Sequence, residues 1–186
     1  MELGFVGLGR MGGNMVRRLS RGGHHCHVFA NTAETREALA AETGAAPWPD
    51  LPALVAALPR PRVIWVMVPA GVATGQVLEE LAGLCDPGDV IVDGGNSHFK
   101  ESVARAGMLA ERGMLMADCG TSGGVFGLTR GYSLMLGGTD EAISRIEPAL
   151  DTLAPGIDAA ERTPARAGGP IAPGEQGWLH CGKSGS

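Results

Sequence analysis

Gly7-Leu8-Gly9-Arg10-Met11-Gly12 is the stretch whose residue types and spacing carry the most chemistry in this chain. It follows the apolar run Leu3-Gly4-Phe5-Val6 and precedes Asn14-Met15-Val16-Arg17-Arg18-Leu19. That order reads as strand, glycine turn, helix. In a dinucleotide-binding turn the first glycine makes the bend and the second lets the backbone approach a pyrophosphate. The third lets helix and strand pack closely. The helix N-terminus then turns free N–H groups and a positive dipole end toward the phosphates.

Three more polar, glycine-rich stretches follow apolar runs: Pro69-Ala70-Gly71, Gly94-Gly95-Asn96-Ser97 and Cys119-Gly120-Thr121-Ser122-Gly123-Gly124. In an open parallel sheet, ligands bind outside the carboxyl ends of the strands, where such loops gather. The bland alternative is that strand-to-helix turns favour glycine in any case.

About 20 residues past a glycine turn, an NAD site usually carries an acidic residue for the ribose hydroxyls. Here that position reads Phe29-Ala30-Asn31-Thr32, with Glu34 a few residues later. The absence of a carboxylate at the tip removes the repulsion that a 2′-phosphate would meet. Asn31, Thr32 and Arg36 are available to bond it. The expected cofactor is NADP, with NAD as the alternative. In the competing reading these polar residues only cap the next helix.

Two apparent motifs lack the context they need. His24-His25-Cys26-His27 lies on an expected strand, where neighbours point to opposite faces, so adjacent ligands do not converge and no metal is expected. Gly177-Trp178-Leu179-His180-Cys181-Gly182-Lys183-Ser184 has the spacing of a nucleoside-triphosphatase phosphate loop. Proline-rich coil precedes it where a strand is required, and no helix is expected to open after it.

The elements that must position these loops alternate. Strands are expected at 2–6, 25–29, 62–69, 89–93, 114–118 and 132–136, with a last edge strand at 155–161. Helices are expected at 10–21, 35–42, 51–58, 72–84, 99–112 and 139–153, the last capped by Thr139. Met11, Met15 and Leu19 share the face of the first helix that meets the sheet. The fold class is therefore α/β with a mostly parallel sheet. Residues 1–162 form the dinucleotide-binding domain, and 163–186 read as a proline- and glycine-rich tail.

Composition narrows the rest. The net charge is −5, and no basic patch interleaves with aromatics, which argues against nucleic acid. No apolar run approaches the roughly 18 residues of a membrane span. The N-terminus lacks a signal-peptide layout. Cys26, Cys85, Cys119 and Cys181 are widely spaced and read as reduced core residues of a cytoplasmic protein. Of the 15 basic residues only Lys100 and Lys183 are lysine.

The glycine turn, Val66-Met67-Val68-Pro69-Ala70-Gly71, Val92-Asp93-Gly94-Gly95-Asn96-Ser97, Asp118-Cys119-Gly120-Thr121-Ser122-Gly123-Gly124 and Gly131-Tyr132-Ser133-Leu134-Met135-Leu136-Gly137-Gly138 stand in an order that resembles the decarboxylating 6-phosphogluconate dehydrogenase family, and its shorter bacterial form most. The resemblance extends to Glu175-Gln176-Gly177-Trp178-Leu179-His180-Cys181-Gly182. It implies a Rossmann-like, doubly wound fold. It also implies hydride transfer from C3 of 6-phosphogluconate to NAD(P) in the pentose phosphate pathway.

By resemblance, Gly7, Leu8, Gly9, Arg10, Met11 and Gly12 bind the pyrophosphate, and Ala30, Asn31 and Thr32 surround the adenosine ribose. Val68, Pro69 and Ala70 line the dinucleotide, and Asn96 lies near nicotinamide and substrate. Ser122, Gly123 and Gly124 hold the sugar-acid phosphate. The family's general-base lysine and proton-donating glutamate fall beyond Ser186, as does its helical C-terminal domain. No catalytic residue is therefore expected within the chain, weak turnover is expected of it alone, and self-association is expected through the surface that domain would cover. Two alternatives stay open: another β-hydroxyacid dehydrogenase, for which Gly94-Gly95-Asn96-Ser97 is the less expected loop, and a non-catalytic nucleotide-binding remnant.

Overall fold

The computed structural model describes residues 1–186. In chain order the elements are β1 (Glu2–Val6), α1 (Arg10–Arg21), β2 (His25–Phe29), α2 (Ala33–Thr43), β3 (Ala46–Pro47), α3 (Leu51–Ala57), β4 (Val63–Val66) and α4 (Val72–Leu84). They continue with β5 (Val90–Asp93), α5 (Phe99–Ala110), β6 (Leu115–Ser122), α6 (Gly127–Arg130), β7 (Ser133–Gly138), α7 (Asp140–Leu153), α8 (Pro173–Gln176) and β8 (Trp178–Gly182).

The eight strands form one sheet in the order β3-β2-β1-β4-β5-β6-β7-β8. Every neighbouring pair is parallel except β6 and β7. The chain winds outward from β1 in one direction and then returns to lay β4 on its other side. The order thus reverses between β1 and β4, and the crevice at such a reversal is where open α/β sheets bind ligands.

The central strands are apolar on both sides because helices cover both. Met15, Val16 and Leu19 of α1 and Ile146, Leu150 and Leu153 of α7 pack with Leu3, Phe5, Trp65 and Val92 on one face. Leu54 of α3, Leu78 and Leu81 of α4 and Leu109 of α5 pack with Val6, Ile64, Val66 and Ile91 on the other. Burying each such side chain stabilises by about 1.5–3 kcal/mol.

Arg62 and Asp89 are buried just before β4 and β5 as an ion pair at 2.8 Å, and Asp86 adds a second contact to Arg62 at 2.7 Å. Burial presses the guanidinium toward losing its charge. Its bonds to Asp86 and Asp89 outweigh that and hold it protonated.

Several sequence expectations need correction. No strand occupies 155–161, where the chain makes a short 3-10 turn at Ile157–Ala159. The edge strand comes later, from the segment expected to be coil: β8 pairs in parallel with β7, Leu134 opposite Trp178. Trp178 is buried and its indole N–H donates to Asp151 of α7 at 2.8 Å. This fixes a five-residue strand that local sequence could not specify. β6 runs on to Ser122, so Cys119, Gly120 and Thr121 are strand rather than loop. β4 stops at Val66, short of the expected 69. Of the four cysteines, Cys26 and Cys119 lie in the core, Cys85 is half-buried and Cys181 is exposed. Burial pushes the Cys26, Cys85 and Cys119 thiols up to about 12.

Candidate functional site

The glycine turn sits at the reversal point. Gly7 has φ +94, and its N–H donates to Phe29 O at the end of β2, 3.0 Å away. A side chain there would strike Met67 O in the loop after β4. A side chain at Gly12 would strike Gly7 O, so helix and turn close on each other only as glycines. Gly9 differs. A Cβ built on it meets nothing within 4 Å. The fold does not need that glycine, and the empty space lies where α1 begins. No side chain caps α1, and no acidic residue stands in its first turn. Its first N–H groups therefore have no side-chain partner at the positive end of the helix dipole.

The crevice itself is a cleft of 630 Å³. Gly7, Leu8, Gly9, Ala30, Asn31, Thr32, Val68 and Pro69, all chosen from sequence, line it. Arg10, Met11, Gly12 and Ala70 do not line it and stand just behind or beside those that do. Sequence reasoning missed its far wall, Ala73, Gln76, Val77 and Glu80 of α4, with Asp50 at the start of α3. The only available signal was their position on the element after Pro69-Ala70-Gly71.

At the end of β2, Arg36 Nη1 donates to Ala30 O at 3.1 Å, which holds the guanidinium against the strand tip. Thr32 precedes α2 but its side chain does not cap it. Its hydroxyl meets Thr35 Oγ1 at 2.6 Å instead. The capping role that competed with ligand binding is therefore not made by Thr32.

The second group of residues meets one sheet position further on. Asn96 is the sole non-glycine residue with positive φ, at +56. Its Oδ1 accepts the Thr121 N–H at 3.1 Å, which brings the loop after β5 against the end of β6, one residue before Ser122. Asn96 lines a smaller cavity of 290 Å³ with Asp93, Ser97, Asp118 and Gly120. Ser122, Gly123 and Gly124 lie at the end of β6 and line neither cavity. Gly123, at φ +130, and Gly127 rest on the buried ring of Tyr132, which is the floor of this loop. Burial pushes the Tyr132 phenol up, and its hydroxyl has no hydrogen-bond partner.

Neither lysine joins these groups. Lys100 is exposed on α5 over the Phe99 ring, and Lys183 is exposed after β8. The phosphate-loop spacing at 177–184 is occupied by strand β8 itself, so its backbone cannot form a phosphate cradle.

Alternate rather than adjacent positions of the histidine run do converge. His25 and His27, two apart, share a face beside Glu2 of β1, and the three bring ligand atoms within 4.8 Å of one another. His27 is already committed. Its Nδ1 accepts the Trp48 indole N–H at 2.9 Å, so its proton sits on Nε2, facing Glu2 Oε1 at 2.7 Å. A metal on Nε2 would displace that proton while Nδ1 stays occupied. Glu2 and His27 instead tie β1 and β2 to the Trp48 connection.

Residues 2–160 match the family described as the NAD binding domain of 6-phosphogluconate dehydrogenase. The chain belongs to that family. A decarboxylating, NAD(+)-dependent 6-phosphogluconate dehydrogenase of Haloferax volcanii is 45% identical over 158 residues, covering 85% of this chain and 52% of its own. Among solved structures, Mycobacterium tuberculosis 3-hydroxyisobutyrate dehydrogenase with L-serine superposes with a TM-score of 0.80 at 24% identity, covering 99% of this chain and 55% of that one. Plasmodium falciparum 6-phosphogluconate dehydrogenase gives 0.81 at 22% identity, covering 100% and 38%. These two establish the shared Rossmann-like fold. The chain spans about half or less of the length of these relatives. As a 6-phosphogluconate dehydrogenase NAD-binding domain, it presents its glycine turn and its 630 Å³ cleft at the same sheet reversal. No helix is long and apolar enough to cross a membrane.

Proposed function

We propose that this chain is the nucleotide half of a decarboxylating 6-phosphogluconate dehydrogenase, binding NADP in the cleft between β1, β2 and β4. The observation that carries this is Gly9. Gly7 and Gly12 are required by packing, but Gly9 faces open space at an uncapped helix N-terminus, where a pyrophosphate needs close approach to the backbone. The adenosine ribose lies against Ala30, Asn31 and Thr32, with Arg36 held beside them and no carboxylate at the strand tip to repel a 2′-phosphate. The NAD(+)-dependent relative makes NAD the competing cofactor.

When bound, the nicotinamide accepts the hydride from C3 of the sugar acid. In this reading Asn96 stands between nicotinamide and substrate. The Ser122 hydroxyl and the Gly123 and Gly124 amides hold the substrate carboxylate, because groups without bulky side chains can approach an anion closely. The proton leaving the C3 hydroxyl needs a base, and neither Lys100 nor Lys183 lines the cavity around Asn96. A positioned acid or base contributes about 10²–10⁴-fold, so turnover by the 186-residue chain alone is expected to be very weak. Exposed Phe99, Val103, Met135 and Leu179 give it an apolar surface for self-association.

Calorimetric titration of the purified chain with NADP and with NAD tests the reading. Tight binding with NADP preferred supports it, NAD preferred corrects the cofactor, and no binding of either overturns it. Size exclusion at high concentration tests self-association, which a sharp monomer peak would overturn.

A further inference from the structure

Arg105, on α5, is nearly buried and makes hydrogen bonds to three separate segments around the site. Nη1 donates to Ser97 Oγ at 2.8 Å and to Asp93 Oδ2 at 3.2 Å, both at the end of β5. Nη2 donates to Gly71 O at 2.9 Å, in the loop after β4, and to Glu101 Oε2 at 3.0 Å on its own helix. Asp93 is fully buried and gathers the rest of its loop. Its Oδ1 accepts the Gly95 N–H at 3.0 Å, and its Oδ2 accepts the Ser97 hydroxyl at 2.7 Å. Gly95 in turn leaves no room for a side chain against Val68 O, 2.7 Å from where its Cβ would stand. The two loops are thus closed on each other by one guanidinium fork.

What lies between them matters. Asn96 is held at φ +56 by neighbours on both sides, Gly95 and Ser97, that are bonded to Asp93. Left-handed backbone is unfavourable for a residue with a Cβ, so it persists only where the surroundings fix it. Arg105 never reaches the ligand cleft, and it is not among the residues lining either cavity. Its fork bonds one loop by its backbone carbonyl and the other by two side chains.

We propose that Arg105 is a positioning residue that locks the cofactor-side loop at 69–71 to the substrate-side loop at 94–97, and so holds Asn96 at the seam between nicotinamide and sugar acid. This deepens the nucleotide reading above and rests on it. The lock acts on the nicotinamide half of the site and leaves the adenosine half alone, since Ala30, Asn31 and Thr32 hang from β2 and α2, to which Arg105 makes no bond.

Arg105→Lys keeps a positive charge beside Asp93 but lacks the fork needed to reach Ser97, Asp93 and Gly71 together. Wild type and variant are titrated with NADP, with NAD, and with the adenosine-half probes ADP and 2′,5′-ADP. The variant is expected to bind its preferred dinucleotide about tenfold more weakly, the effect of losing a charge-assisted hydrogen bond, with adenosine-half affinity within about twofold of wild type. Equal weakening of whole and half ligands would make Arg105 a general structural residue and overturn the proposal, as would unchanged affinity for all four. Wild type binding none of the four removes the nucleotide reading and this role with it, an outcome distinct from wild type and variant binding alike.

Amide hydrogen exchange gives a ligand-free measure on the same two proteins. Gly75, bonded to Gly71 O, and Gly95, bonded to Asp93, are expected to exchange at least about tenfold faster in the variant, with Met15 and Leu19 in α1 unchanged. Unchanged exchange at Gly75 and Gly95 would overturn the lock.

Discussion

Asn96 Oδ1 accepts the Thr121 N–H at 3.1 Å while Asn96 itself sits at φ +56. One side chain therefore joins two strand ends at the expense of its own backbone. Asn96→Ala loses the bond and raises the backbone cost, since alanine tolerates left-handed backbone less well than asparagine, and is expected to destabilise by about 1–3 kcal/mol. Asn96→Gly loses the bond but relieves the backbone, and is expected to cost less. Urea midpoints of the two variants check this; a glycine variant less stable than the alanine one would show that φ +56 is not strained here.

Gly9 and Gly12 of the turn should separate by experiment. Gly12→Ala drives a methyl into Gly7 O and is expected to cost about 1–3 kcal/mol through overpacking. Gly9→Ala meets no atom and should stay within about 1 kcal/mol of wild type, the range for a changed helix cap. It should nevertheless lose most of its dinucleotide affinity, because the methyl fills the space kept for the pyrophosphate. Thermal melts paired with calorimetry read both quantities. A Gly9→Ala variant that binds normally would remove the observation on which the nucleotide reading stands.

Cofactor choice is expected to turn on the tip of β2. Asn31→Asp places a carboxylate where a 2′-phosphate would lie, and like charges in contact cost several kcal/mol. The ratio of NADP to NAD affinity should fall by at least about tenfold. Arg36→Gln should move it in the same direction by removing the guanidinium beside Ala30 O. Ratios unchanged in both variants would place discrimination elsewhere.

Asp118 gives a pH dependence with a definite sign. Burial raises its carboxyl above the ordinary value, the Gly185 N–H at 2.9 Å pulls the other way, and nearby Asp93 adds to the rise. A raised carboxyl binds its proton more tightly folded than unfolded. The folded state therefore loses stability as pH rises from below the unfolded value of 3.8 through the folded one, and the penalty is complete above both. Asp118→Asn keeps an oxygen for Gly185 and removes the charge. It should be more stable than wild type at about pH 7, with the difference vanishing only by about pH 3, below the unfolded value of 3.8. Denaturation midpoints at the two pH values decide it; a variant less stable at neutral pH would mean the carboxylate is net favourable.

The turn at residues 7–12 was legible because glycine placement and strand-to-helix order are local properties. The meeting of Asn96 with Thr121 was not, since a side chain reaching a strand 25 residues away leaves no periodic trace. Family resemblance brought those residues to notice, and the hydrogen bond gives the physical reason they adjoin. β8 was missed because Trp178–Gly182 is flanked by prolines and glycines and is held by Leu134, Leu136 and Asp151, all distant in sequence. Arg105 stayed invisible for a similar reason: on a helix it looks like any surface arginine, and only the fold brings Gly71 O and Ser97 to its fork.

The edge strand β8 reaches its place from the far end of a connection that begins at Ala154 and ends at Gly177. A peptide bond broken there, at exposed Arg166 for instance, would sever the backbone but none of the ladder from Leu134 to Gly137, nor the Trp178–Asp151 bond. Mechanically, the molecule is two pieces interlocked through one sheet. A nick, a tag or an inserted module is expected to be tolerated in this connection, at the opposite half of the sheet from the cleft beside β1.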